Sequence, residues 1–348
     1  MTKNLSLGFS VTPSTLTTIL DAAIAKNRPL LIVSSPGCGK TDIVLQAGIR
    51  NTIRVVVFHP VVDEPINYKG LPTTMIVDGV TKATFLPFDE LEILINSEEK
   101  TIAFFDDLGQ ANAGVQAAVM QLVLSRRING FKISDNIMFV AATNRKSDKA
   151  GVSGILEPVK GRFTIVELEP SEKDWTDWAI KHNQPPELIA FIRWKSSTSE
   201  SVLYNFEPTL EMRNSPNPRN VAAAGEWIAD GLPEHILTPL IAGRCGAGFA
   251  HEFMAFYRMH KALPDPDLLI ANPDKFTLPD KSKPDQLFAI CGALAAKANK
   301  QNFDNIMKIA NKIPVEFSVM MVQDIIIAKN ELAETSAFDN WKYINDLT

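Results

Sequence analysis

Cysteine is nearly absent from this 348-residue chain: Cys38, Cys245 and Cys291 are odd in number and far apart, which speaks against a disulfide framework and against a thiolate zinc site. The five histidines (His59, His182, His235, His251 and His260) do not fall at metal-ligand spacing, and no serine or cysteine nucleophile motif occurs. No segment approaches the ~20 apolar residues of a membrane span. The opening MTKNLSLGFS lacks the basic, apolar and small-residue blocks of a signal peptide, so a cytoplasmic protein without a membrane span is expected. Neither sign of charge dominates: 35 Lys and Arg against 40 Asp and Glu leave a net −5, which argues against a broad nucleic-acid footprint and leaves a local basic one open. Low-complexity tracts and internal repeats are missing too. What remains is a globular composition, 45% hydrophobic, in a chain too long for one ordinary core, so two or three units are expected.

Residues 29–42, PLLIVSSPGCGKTD, carry the clearest chemistry. An apolar run from Leu30 to Val33 stops at Ser34, passes through a small turn, and restarts at Lys40 as a helix with Ile43, Val44 and Ala47 on one side. Gly37 and Gly39 let backbone N–H groups turn inward around a phosphate, Lys40 supplies a point charge for the outer phosphates, and Thr41 offers a hydroxyl to Mg²⁺. This is a P-loop with one departure, since Ser34 stands where the pattern G-x-x-x-x-G-K-[ST] has its first glycine. The nucleotide-binding set is then Ser34, Ser35, Pro36, Gly37, Cys38, Gly39, Lys40 and Thr41. The competing reading is a Gly-rich turn that merely precedes Lys-Thr; the strand before and the helix after favour phosphate. Cys38 reads as a small filler, although a thiol there could be oxidised and block nucleotide.

Around the P-loop, strands and helices alternate. Thr12 and Pro13 open a helix over 12–27, and Ile53–His59 suits a strand buried on both faces. Asp78-Gly79 between Thr74–Val77 and Val80–Phe85 predicts a hairpin, followed by a brief helix over 87–96. The strand Thr101–Phe105 ends in Asp106-Asp107, two carboxylates where doubly wound sheets place their ligands. In a P-loop protein the first holds Mg²⁺ and the second polarises the attacking water; the competing reading is that they cap the next helix. A helix over 112–126 and a second hairpin around Asn129-Gly130 lead to the strand Ile137–Ala142, which ends on Thr143-Asn144. Asn144 can hold the lytic water or the γ-phosphate, or it is a turn former. After a loop and short helix over 151–160, Arg162-Phe163 precede a last strand, Thr164–Leu168.

From Ser171 the periodicity is helical and strand signals vanish. Trp175, Trp178 and the run Leu188–Trp194 read as core, 195–218 as a loop with Pro208, Pro216 and Pro218, and Arg219 stands at the head of a helix over 220–229. Thr238 as N-cap and Pro239 at the first helical position predict the next helix, running to Lys261. The segment 264–283 reads as one long connection, with helices over 284–298, 302–312 and 315–332. The expected domains are residues 1–170, an α/β nucleotide-binding domain; 171–263, a helical lid; and 264–348, a C-terminal helical extension.

The order of these parts resembles the AAA+ ATPases: P-loop, strand-end Asp106-Asp107, strand-end Asn144, Arg162-Phe163, then a helical region carrying Pro218-Arg219. The hairpins over 74–85 and 127–133 resemble the inserts of the MoxR branch. PINYKGLP (65–72) and LIAGRCGAGFAHEFMAFYRMHKALPDPDLLIANP (240–273) are similar to MoxR-like ATPases of phages and prophages. The resemblance implies a P-loop α/β core, a parallel sheet between helices with two inserted hairpins, followed by an all-α lid and C-terminal helical region. It implies ATP and Mg²⁺ as ligands, Lys40 and Thr41 on phosphate and metal, and Asp106 as the Walker B acid. Asp107 falls where the family has a catalytic Glu, one methylene longer, so slow hydrolysis is an open reading. Asn144 matches sensor 1, Arg162 an arginine finger acting on a neighbouring subunit, and Arg219 sensor 2. A homo-oligomeric ring, a hexamer, is implied, remodelling a partner protein together with a von Willebrand factor A domain protein, in a bacterial or phage-infected host cytoplasm. Adenine rests on this likeness, since no guanine-reading Asn-Lys-x-Asp string occurs.

Two other readings stay open. One is an ATP-regulated binding scaffold that hydrolyses poorly, motivated by Ser34 and Asp107. The other is a nucleic-acid motor using Arg126, Arg127 and Lys132 beside the second hairpin.

Overall fold

The structure, a computed structural model, describes residues 9–148, 154–198, 201–207, 209 and 211–345. The expected loop residues 151–153 and Pro208 lie outside the described residues. The chain divides into two compact units, Met1–Pro170 and Ser171–Thr348.

The strands of the first unit are β1 (Ser10–Val11), β2 (Leu30–Ser34), β3 (Arg54–Phe58), β4 (Leu71–Val77), β5 (Val80–Leu86), β6 (Thr101–Phe105), β7 (Arg127–Ile128), β8 (Phe131–Lys132), β9 (Ile137–Asn144) and β10 (Thr164–Leu168). Its helices are α1 (Pro13–Lys26), α2 (Lys40–Asn51), α3 (Pro65–Lys69), α4 (Asp89–Asn96), α5 (Ala113–Ser125) and α6 (Glu157–Lys160). Six strands form one parallel sheet in the order β1-β10-β2-β9-β6-β3. Every residue of β6 and β9 is buried, as their unbroken apolar runs require between two helical layers. Phe104, Phe105 and Phe139 are each at most 1% exposed. Side chains of that size contribute about 1.5–3 kcal/mol each on burial. This is the P-loop type of α/β fold: a parallel sheet with its nucleotide-type loop leaving a central strand.

Both hairpins form. In β4–β5, Asp78 and Gly79 take φ of 54° and 74°, the left-handed pair that a two-residue turn demands, with Val77 opposite Val80. Asn129 and Gly130 do the same between β7 and β8. Thr12 caps α1, its side chain accepting from Thr15 N. Two elements have no sequence expectation: β1, two residues paired to β10, and the five-residue α3.

The second unit has helices and no strand among its described residues: α7 (Glu172–Lys181), α8 (Pro186–Ser197), α9 (Pro218–Ala229), α10 (Glu234–Cys245), α11 (Ala247–Lys261), α12 (Pro266–Ala271), α13 (Pro284–Lys297), α14 (Phe303–Ala310), α15 (Val315–Ala328) and α16 (Ser336–Ile344). Trp175, Phe191, Phe253 and their neighbours form one apolar cluster, and Cys291, Phe303, Met321 and Trp341 belong to a second. Helix α13 supplies side chains to both, Ala289 to the first and Cys291 to the second.

Four expectations are corrected here. Thr238 does not cap a helix that starts at Pro239: α10 begins at Glu234, after Pro233, and Pro239 lies inside it. The Thr238 hydroxyl donates to Glu234 O at 2.7 Å, and Leu237 and Ile241, both fully buried, hold the helix on the core across the proline. Nor does that helix run to Lys261. Gly246 breaks it with φ 85° and ψ 160°, and a Cβ there would stand 3.1 Å from Asn214 O, so α11 starts afresh. The connection 264–283 contains α12, capped by Asp265 and anchored by buried Leu269 and Ile270. In addition, α15 stops at Ala328 before a 3₁₀ turn over Asn330–Glu334, and α16, capped by Thr335, has no sequence expectation.

Candidate functional site

Parallel register brings the strand ends together. Ser34, the last residue of β2, is the register partner of Asn144, the last of β9, and Phe105 of β6 pairs with Ala141 of β9. Asp106 follows directly, its N–H donating to Phe58 O of β3 at 3.1 Å. The loop after β2 turns on Gly37 (φ 76°) and Gly39 (φ 86°), and Gly39 N-caps α2. A Cβ on Gly39 would meet nothing within 4 Å, so its requirement is the left-handed backbone and the space it leaves open.

Lys40, 7% exposed, reaches back along this edge. Its Nζ donates to Ser34 Oγ (3.0 Å), to Ser35 O (3.3 Å) and to Asn144 Oδ1 (2.7 Å). The amide of Asn144 donates from Nδ2 to Asp107 Oδ1 at 3.1 Å, so one side chain joins the lysine to the second carboxylate. Thr41 Oγ1 donates to Asp106 Oδ2 at 2.7 Å. Lys40, Thr41, Asp106, Asp107 and Asn144 thus form one hydrogen-bonded constellation. A threonine hydroxyl beside a carboxylate is a hard-oxygen pair that fits Mg²⁺, and a loop turning on two left-handed glycines into Lys40 at a helix N-terminus fits a polyphosphate. Asp107 sits at φ 55°, a left-handed conformation that Asp adopts more readily than most residues.

Arg145, with no role expected from sequence, sits behind the loop. Its N–H donates to Ser34 O (3.1 Å) and its Nη1 to Ser35 Oγ (3.1 Å). On its other side it contacts Glu167 Oε1 at 2.7 Å, an ion pair without hydrogen-bond alignment, and bonds Glu169 through Nη2. Burial opposes its charge, but Glu169 and Glu167 outweigh that and hold the guanidinium above its ordinary pKa. The available signal was Glu167 within a strand, where a buried carboxylate needs a cation, with Glu169 just past the strand's end.

The remaining expected site residues are dispersed. Ser35, Gly37 and Cys38 are buried in the loop and Pro36 is half-buried. Burial pushes the Cys38 thiol above its ordinary pKa, which disfavours the thiolate needed for oxidation. Arg162 is exposed, two residues before β10. Because Thr164 pairs with Leu30 at the start of β2, Arg162 lies at the opposite edge of the sheet from Ser34, at least roughly 13 Å away along the strands. Arg219, also exposed, is the second residue of α9 in the other unit, behind the N-cap Asn217.

Of the three cations beside the second hairpin, Arg126 is half-buried, donates to Ser134 O and to Ile137 O (2.9 Å), and lies 5.3 Å from the Phe139 ring centroid. Lys132 pairs with Asp135 at 2.7 Å, and Arg127 is exposed.

No protein-family model matches this chain, and no curated protein does. Among solved structures, the Thermotoga maritima RuvB Holliday junction branch migration motor is similar over 81% of this chain and 80% of that one, at 16% identity and a TM-score of 0.39. NtrX from Brucella abortus in complex with ADP is similar over 82% of this chain and 63% of that one, at 11% identity and a TM-score of 0.41. No helix among the described residues is long and apolar enough to cross a membrane.

Proposed function

We propose that this chain is a Mg²⁺-dependent ATPase of the AAA+ class, working as a homo-oligomeric ring. The observation that carries the reading is the constellation at the strand ends, in which Asn144 bridges Lys40 to Asp107 while Thr41 bonds Asp106. When bound, Mg²⁺ would be held by Thr41 and Asp106 and would offset charge on the phosphate oxygens. Lys40 leaves its present acceptors for the outer phosphates, and Asn144 orients Asp107 toward the attacking water. As the water oxygen bonds the terminal phosphorus, the bond to the ADP oxygen breaks and Asp107 takes the water's proton.

Arg162, at the far edge of the sheet, is badly placed for its own chain's nucleotide, which supports a role on a neighbour's. Such a finger supplies about 10³–10⁵ in rate, so hydrolysis depends on a packed neighbour. Arg219 would read the γ-phosphate for the helical unit. The MoxR-like stretches 65–72 and 240–273 extend the proposal to a phage-type MoxR relative in the cytoplasm, a hexamer that remodels a partner protein with a von Willebrand factor A domain protein.

The test is ATP turnover against protein concentration for wild type, Lys40→Ala and Arg162→Ala, with sizing of the assembly with and without ATP. Specific activity is expected to rise with concentration, Lys40→Ala to lose nucleotide binding, and Arg162→Ala to assemble but hydrolyse little. Activity flat with concentration and indifferent to Arg162 would sink the trans finger.

A second reading, the slow ATP-regulated scaffold, is favoured by the short reach of Asp107. Turnover near zero that Asp107→Glu raises would select it, even though Glu fits φ 55° less well than Asp. The nucleic-acid motor is disfavoured by the internal bonds of Arg126 and the ion pair of Lys132.

A further inference from the structure

A cavity of about 810 Å³ lies wholly within the helical unit Ser171–Thr348, bordered by α7, α8, α13, α15 and α16. Its volume falls in the range of small-molecule sites, about 300–1,000 Å³. Most of the wall is apolar, with Phe288, Met320, Ile327 and Phe338 on it. Its polar groups are out of balance. Each lining cation already has a carboxylate: Arg193 bonds Asp324 Oδ2, Lys173 pairs with Asp177 at 2.8 Å, and Lys342 with Asp339 at 3.1 Å. The Trp341 N–H is taken by Ser318 Oγ at 2.9 Å. On the acceptor side, Asp324 is 4% exposed and its Oδ1 is buried without a partner. Glu172 accepts from Ser196 through Oε2, and its Oε1 is likewise buried and unpartnered.

Buried carboxylate oxygens without donors are costly, and an apolar-walled cavity bordered by two of them matches a ligand that brings a donor on an apolar body. We propose that this cavity binds a small organic cation, an ammonium or guanidinium on an apolar body, with the cationic head between Asp324 Oδ1 and Glu172 Oε1. The apolar body lies against Phe288 and Phe338. The site is independent of the nucleotide reading, since it uses no residue of Met1–Pro170.

The experiment titrates the full-length protein with 4-phenylbutylamine, 4-phenylbutanol and 4-phenylbutyrate, reading heat and saturation-transfer NMR. The amine is expected to bind saturably and about tenfold more tightly than the alcohol, with the carboxylate weaker still. Glu172→Gln is expected to weaken the amine several-fold and leave the alcohol unchanged. Asp324→Asn should do the same, and where it fails to fold, because Arg193 loses its counter-charge, Glu172→Gln still decides, together with Phe338→Ala, which is expected to weaken amine and alcohol alike. Equal affinity for amine and alcohol, amine binding indifferent to Glu172→Gln, or no saturable amine binding would each overturn the proposal.

Discussion

At Ser34 a hydroxyl stands where the P-loop pattern has a glycine, and it accepts one of the hydrogen bonds that hold Lys40. A glycine there would free that ammonium for phosphate. Ser34→Gly is therefore expected to tighten ATP binding several-fold while lowering stability by about 2–4 kcal/mol for one lost charge-assisted bond and added chain entropy; titration with a fluorescent ATP analogue and urea unfolding read the two effects. Arg145 invites the opposite change. Removing it takes an ion-pair partner from Glu167, 5% exposed, so Arg145→Ala is expected to cost about 3 kcal/mol, and Arg145→Ala with Glu167→Gln clearly less than the sum of the singles. An additive double-mutant cycle by urea unfolding would show that the pair does not interact. The contrast between the two residues also marks what the sequence could show. Lys40, Thr41, Asp106 and Asn144 were legible because each sits at the end of an apolar run or within a fixed spacing. Arg145 was not, because its carboxylate partners lie on β10 and just past its end, and which strand neighbours β2 is decided by the sheet order rather than by local pattern.

Among elements, α10 is where local rules were most misleading. Thr238-Pro239 has the look of a cap followed by a first helical residue, yet Pro233 is the actual punctuation and Pro239 costs the helix the bond its N–H would have made to His235 O. His235 is exposed, so water softens the loss. Pro239→Ala is expected to raise stability by about 1 kcal/mol, checked by the urea midpoint. Long periodic elements such as α1, α5 and α13 could be read to within a residue or two at each end. Short ones such as β1, α3 and α12 could not, since two to six residues hold too little periodicity to oppose their flanking prolines and polar residues.

For the whole molecule, two compact units imply two responses to solution conditions. In the helical unit, burial holds His260 below its ordinary value of 6.5, with Glu187 raising and Lys261 lowering it further. The unfolded chain then binds this proton more readily than the folded one. The stability from keeping His260 neutral is present above about pH 6.5 and is lost as pH falls toward the depressed folded value. Urea midpoints of the transition reporting Ser171–Thr348 should fall between pH 7.5 and 5.5, and His260→Gln should flatten that slope; an unchanged slope would remove His260 as the cause.

The complete burial of β6 and β9 also bears on the order in which parts of the molecule come apart. Asp106 and Asn144 hang from the strands whose amides should exchange with deuterium most slowly, so ordinary fluctuations of hairpins and surface helices leave their spacing intact. On heating, the spacing of Asp106 and Asn144 should therefore show little gradual decline: it persists until Met1–Pro170 melts as a unit, and ends there.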